Sequence, residues 1–134
     1  TLYAITKEKK LWTANVDGTT DTSSMPNIES TSLILNYNNG YYLTHEKSIS
    51  YINDKRIAET NIKLDSPAKT LGLRQGYVTI TTDQNLYLIK NKKVIEGFPI
   101  KTDGHFNISD INNNGKVNVV NINNGLIYNY QLAD

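Results

Sequence analysis

Apolar and polar residues alternate along most of this chain. Ile49 and Tyr51 are interleaved with Ser48, Ser50 and Ile52, and Val117 and Val119 with Lys116, Asn118 and Val120. A period of two marks strands with one face on a core. The pattern predicts strands at Leu2–Ile5, Leu11–Val16, Ser32–Tyr37, Tyr41–Thr44, Ile49–Ile52, Tyr77–Thr82, Leu86–Lys90, Lys116–Val120 and Leu126–Tyr130. Turn-forming pairs separate them, among them Asp17-Gly18, Asn39-Gly40, Asn91-Lys92, Asp103-Gly104 and Asn124-Gly125. No window holds a helical apolar period over ten residues. The polar stretch Thr19–Ser30, with Pro26 inside it, is expected to be a loop. The fold class is therefore all-β.

The strands repeat. Ile49, Tyr51, Asp54, Ile57 and Glu59 recur as Leu86, Leu88, Asn91, Val94 and Glu96, 37 residues later. Leu11 lies 38 residues before Ile49, and Leu126 lies 40 residues after Leu86. Four hairpins at such a spacing point to a β-propeller. At about 40 residues per blade, 134 residues hold about three to three and a half blades. Rings typically close with about four to eight. The whole span 1–134 is expected to be a single propeller-type domain or a fragment of one. Further blades, a protein partner or a second copy would then complete the ring and cover its terminal edges.

Composition narrows the partners. Fourteen basic residues against thirteen acidic ones leave a net charge of +1, which is no footprint for nucleic acid. No apolar run approaches the length of a membrane-spanning helix, so insertion is not expected. The absence of cysteine removes disulfides and thiolate chemistry. The chain begins at Thr1 and is expected to be a processed product or a piece of something longer. Asparagine is frequent and often paired, which suits tight turns. Nine tyrosines against two phenylalanines suit strands with one wet side.

Two segments resemble known propeller repeats. Leu2, Tyr3, Ala4, Ile5, Leu11 and Trp12 resemble the pyrroloquinoline-quinone-type repeat over residues 2–12, although its turn glycine is missing. Over residues 97–130, Phe106, Asp110, Asn112, Asn114, Gly115, Asn118, Val119, Val120, Gly125, Leu126 and Tyr128 are similar to the FG-GAP/VCBS type. The resemblance implies a bacterial, extracytoplasmic protein whose propeller binds partners or supports neighbouring domains.

Candidate chemistry is sparse. Asp110, Asn112 and Asn114 occupy positions 1, 3 and 5 of a calcium-type loop, with the Lys116 carbonyl at 7 and Asn118 at 9. Asp110 is the one carboxylate of the five, and the EF-hand glutamate at position 12 is replaced by Asn121. A turn held by asparagine side chains is preferred over an occupied site. Any calcium affinity would be on the order of millimolar, and no cofactor is required.

His45 and His105 stand far from any motif that would make them catalytic. Lys7, Lys9, Lys10, Lys55, Arg56, Lys92 and Lys93 recur at hairpin tips, and a solvated edge explains them better than an acidic partner does. Trp12, Tyr41, Tyr42, Tyr51, Tyr77 and Tyr87 suit packing first and a sugar platform second. The expectation is a non-catalytic interaction or scaffold module. A carbohydrate-binding propeller and the blades of a quinone-dependent dehydrogenase are the alternatives.

Overall fold

A computed structural model describes residues 1–24, 28–29, 31–102 and 106–132. The chain divides into two compact units, Thr1–Pro67 and Ala68–Asp134. Each is built from sheets in which every strand pairs antiparallel with a sequence neighbour, plus one extra strand noted below.

In the first unit, β1 (Leu2–Ile5), β2 (Leu11–Ala14) and β3 (Thr20–Ser23) form one sheet. The second sheet holds β4 (Ile34–Tyr37), β5 (Gly40–His45), β6 (Ser48–Ile52) and β7 (Ala58–Lys63). Tyr3, Leu11, Ile28, Tyr41, Leu43 and Ile52 form the buried cluster.

In the second unit, β8 (Thr70–Arg74), β9 (Tyr77–Thr81), β10 (Asn85–Lys90) and β11 (Lys93–Val94) run in sequence. β12 (Ile100–Lys101) joins the same edge of β10 further along, at Asn85 and Leu86. The last sheet is β13 (Phe106–Ile111), β14 (Lys116–Asn121) and β15 (Ile127–Gln131). Its core is aliphatic: Leu86, Leu88, Ile108, Ile111, Val117, Val119 and Leu132.

The repeat has a packing cause. Leu11, Ile49 and Leu86 are all fully buried. Leu126 departs from the pattern: it is exposed, and β15 starts one residue later. The two central strands β5 and β10 lose strict alternation, because Tyr41 to Thr44 and Leu86 to Ile89 are buried on both faces.

Thr20–Ser23 corrects the expected loop at Thr19–Ser30. It forms β3 on the outer edge of β2, with Leu11 opposite Ser23 and Thr13 opposite Asp21. An edge strand takes its stability from the ladder and needs no apolar face, so its largely exposed polar residues carry no period-two signal. Pro26 and the expected Asp103-Gly104 turn lie outside the described residues. β2 stops at Ala14, because Asn15 opens a turn and Val16 is almost wholly exposed.

Gly40 is fixed by close approach. A Cβ there would run into the Ile52 carbonyl oxygen and the Tyr51 ring and hydroxyl. That hydroxyl donates to the carbonyl of Tyr37 or Asn38, each 3.0 Å away.

Candidate functional site

The calcium-type loop is the turn between β13 and β14. The Asn112 N–H donates to the Lys116 carbonyl (3.0 Å), and the Gly115 N–H donates to the Asn112 carbonyl (3.1 Å). Asn112 Oδ1 accepts the N–H groups of Asn114 (3.0 Å) and Lys116 (2.9 Å). The Asn114 carbonyl accepts from Gln131 Nε2 at 2.8 Å. Asp110 and Asn118 lie opposite each other in the ladder, just past a bulge between Ile108 and Asp110.

The same turn stands where no calcium motif does. Asn53 donates to the Ile57 carbonyl (3.0 Å) and accepts at its own carbonyl from Arg56 (2.9 Å). Its Oδ1 takes the N–H groups of Lys55 (2.9 Å) and Ile57 (3.0 Å). Thr6–Lys10 and Asn15–Thr19 share the backbone pair. In all four the fourth residue is left-handed: Lys9 at φ 63°, Gly18 at 87°, Arg56 at 64° and Gly115 at 77°. This is a type I turn closed by a left-handed bulge residue. Lys9 thus stands in the backbone position that a turn glycine would fill.

The chemistry of the donor set fits calcium poorly. Asp110 is its one carboxylate, and the Asn112 and Lys116 oxygens already accept backbone N–H groups. Among the described residues no group of three His, Cys, Asp or Glu could hold a metal ion.

The turn borders a cleft of about 660 Å³ within the second unit. Asn113, Asn114 and Gly115 form one side of it, and Tyr77, Lys90 and Asn91 another. The Lys90 ammonium sits 4.4 Å from the centre of the Tyr77 ring. Asn91 is left-handed, at φ 53°.

The first unit has a smaller cleft of about 300 Å³, which includes Tyr3, Thr13, Asp21, Asp54 and Arg56. Its charges answer one another: Arg56 pairs with Asp21 at 3.4 Å. Burial raises the Tyr3 pKa, the negative charge of Asp54 adds to the rise, and Arg56 opposes it. The Tyr3 hydroxyl donates to the Asn39 carbonyl at 3.1 Å.

The remaining candidates do not converge on a site. Tyr41, Tyr42, Tyr51 and Tyr87 are buried and cannot form a platform for sugars. Tyr3 and Tyr41 pack 4.6 Å apart, and Tyr42 lies 5.1 Å from Tyr51. His45 ends β5, 3.8 Å from Glu29 and from Glu46. His105 lies outside the described residues. Glu59 and Glu96 are exposed. Sequence reasoning missed the Lys90–Tyr77 pair because its residues lie on neighbouring strands. The signal lies in the hairpin and not in either strand alone: the β9–β10 register puts Ile89 opposite Val78 and so brings Lys90 and Tyr77 to one end.

No protein-family model and no curated protein sequence matches the chain. Solved structures do. Hsv2 from Kluyvelomyces marxianus superposes with a TM-score of 0.57 at 16% identity, covering 93% of this chain and 49% of that one. A catalytically inactive virginiamycin B lyase from Staphylococcus aureus, solved with quinupristin, gives 0.52 at 16% identity, with 97% and 54% covered. Both are β-propellers. The chain is a partial β-propeller. It spans about half the length of the solved chains it matches. One of these is an enzyme, so the shared fold does not decide for or against catalysis.

Proposed function

We propose that the chain is a non-catalytic interaction module, a run of blades that joins further blades of a larger propeller. The observation that carries this is the last hairpin. β15 pairs only with β14 among the described residues. Around it Ile122 (67%), Leu126 (55%), Ile127 (61%) and Tyr128 (40%) are exposed. An apolar strand with an open edge is a template for another strand. Further blades, in the same polypeptide or in a second copy, would cover it.

The resemblance of residues 97–130 to FG-GAP/VCBS-type repeats supports a bacterial, extracytoplasmic setting. Fractionating the source cells and probing for the native protein tests that location. Calcium at the Asp110 loop is, on this proposal, weak and dispensable.

Sedimentation equilibrium of the isolated chain tests the module. The expected result is concentration-dependent self-association that Ile127→Lys abolishes while the fold is kept. A monomer at high concentration, from a gene whose reading frame encodes no other blades, would overturn the proposal. Dye-linked oxidation on adding quinone and calcium would replace it with the dehydrogenase alternative.

A further inference from the structure

We infer that the cleft between the β10–β11 and β13–β14 turns binds an acidic saccharide, with Lys90 as the anchor for its carboxylate. This goes beyond the scaffold role, since the site lies wholly within the second unit and does not depend on ring completion.

Charge is the first reason. Among the described residues, those around this cleft include one cation, Lys90, and no carboxylate. Lys90 contacts the Tyr77 ring face and, among the described residues, pairs with no acidic side chain. A ring quadrupole holds an ammonium in place without neutralising it, so the positive charge stays available to an anion. The first unit's cleft has Arg56 already paired with Asp21 and has Asp54 beside it, so it offers no net attraction of that kind.

The amides are the second reason. Asn91, Asn113 and Asn114 all border the cleft. The Asn114 backbone is bonded within the turn and to Gln131. The side-chain amides of these three residues have no hydrogen bond to the described protein. Each amide carries two donors and an acceptor. A sugar hydroxyl both donates and accepts, so rows of amides match it well.

Shape is the third reason. Ile95 and Leu132 supply a small apolar wall, against which the C–H face of a sugar ring can rest. The volume of about 660 Å³ lies within the range of small-molecule sites and exceeds what a single sugar ring fills. A short uronate oligomer combines these features: one or more carboxylates, many hydroxyls and flat C–H faces. The open, exposed character of the site sets the affinity in the millimolar range.

The test is a titration of the full chain, isotope-labelled, with digalacturonate, followed by amide NMR. The expected result is saturable shifts centred on Tyr77, Lys90, Asn91, Asn113 and Asn114. Lys90→Met should weaken binding about tenfold, the loss of one charge-assisted hydrogen bond. Asn113→Ala should weaken it by a smaller factor. Both variants should melt within a few degrees of the parent, because these side chains are exposed. Four results overturn the inference: no shift at tens of millimolar, shifts centred elsewhere, equal affinity for neutral galactobiose, or affinity unchanged in Lys90→Met. Triglutamate binding at these residues more tightly than digalacturonate would assign the cleft to acidic peptides instead.

Discussion

Two edge strands, β1 and β15, look alike in sequence and are treated in opposite ways. Each is a short strand with tyrosine and isoleucine at the side of a three-stranded sheet. β1 is capped. Asn36 Oδ1 accepts the Tyr3 N–H at 2.7 Å, and Asn36 Nδ2 donates to the Tyr3 carbonyl at 2.9 Å. One amide side chain thus imitates a rung of the missing neighbour strand. Among the described residues no side chain caps β15 in this way, and its Ile127 and Tyr128 are exposed while Tyr130 packs on the core. The difference teaches that an edge is closed by a particular side chain at a particular place, not by strand composition. It also separates an edge finished within its own unit from one left open among the described residues.

The largest expected effect removes the frame of the finished edge. Gly40 pairs with Tyr37 across the β4–β5 turn, and β4 carries Asn36. Gly40→Ala forces a methyl group against the Ile52 carbonyl and Tyr51. A backbone oxygen cannot move aside cheaply, so the cost should be about 2–3 kcal/mol. Urea unfolding measures it. A loss below about 0.5 kcal/mol would mean that the strands part easily, and that the cap on β1 is not rigidly held.

The next effect tests the cap itself. Asn36→Leu keeps the size of the side chain and leaves the Tyr3 backbone groups without their partners. The cost should be about 1–2 kcal/mol, with faster amide exchange at Tyr3. Ile127→Lys on β15 is the control and should stay within about 0.5 kcal/mol of the parent. Equal costs for the two would erase the contrast between the edges.

Asn36 also shows what the chain's sequence could and could not reveal. Its spacing within β4 reads as one more polar strand position, and only the placement of β1 beside β4 turns it into a cap. The same holds for Thr20–Ser23: pairing with β2 makes it a strand, and nothing in its own four residues does. The buried repeat of Leu11, Ile49 and Leu86 was legible, because burial imposes a periodic demand on residue type. The loop at Asp110 to Asn118 was legible as a spacing. That its turn recurs at Asn53–Ile57 was not, since one backbone geometry accepts both Asn-Asn-Asn-Gly-Lys and Asn-Asp-Lys-Arg-Ile.

That recurrence leads to a paired prediction of about 1 kcal/mol. Asn53→Ala in the first unit and Asn112→Ala in the second each remove a side chain that accepts two backbone N–H groups. Both should destabilise by about 1 kcal/mol, with or without calcium. Micromolar calcium should leave the melting temperature of the parent unchanged. A clear rise that Asn112→Ala removes and Asn53→Ala leaves intact would make the second turn a true metal site.

The smallest effect separates the two cores by pH. The first unit buries Tyr42, whose pKa is pushed up to about 12 by burial, with help from Tyr37 and Tyr51. In the second unit Tyr87 is the one buried tyrosine among the described residues, and the aliphatic cluster contains none among its buried members. Below pH 10 the Tyr42 phenol is protonated in both the folded and the unfolded chain, and its contribution is constant. Between pH 10 and about 12 the unfolded chain ionises while folded Tyr42 keeps its proton. Stability is therefore lost as pH rises through that window. Urea midpoints at pH 9 and pH 11 should show the fall, and Tyr42→Phe should reduce it by removing one ionisable ring. An equal fall in Tyr42→Phe would move the alkaline sensitivity to other tyrosines, and the aromatic core of the first unit would no longer distinguish it from the second.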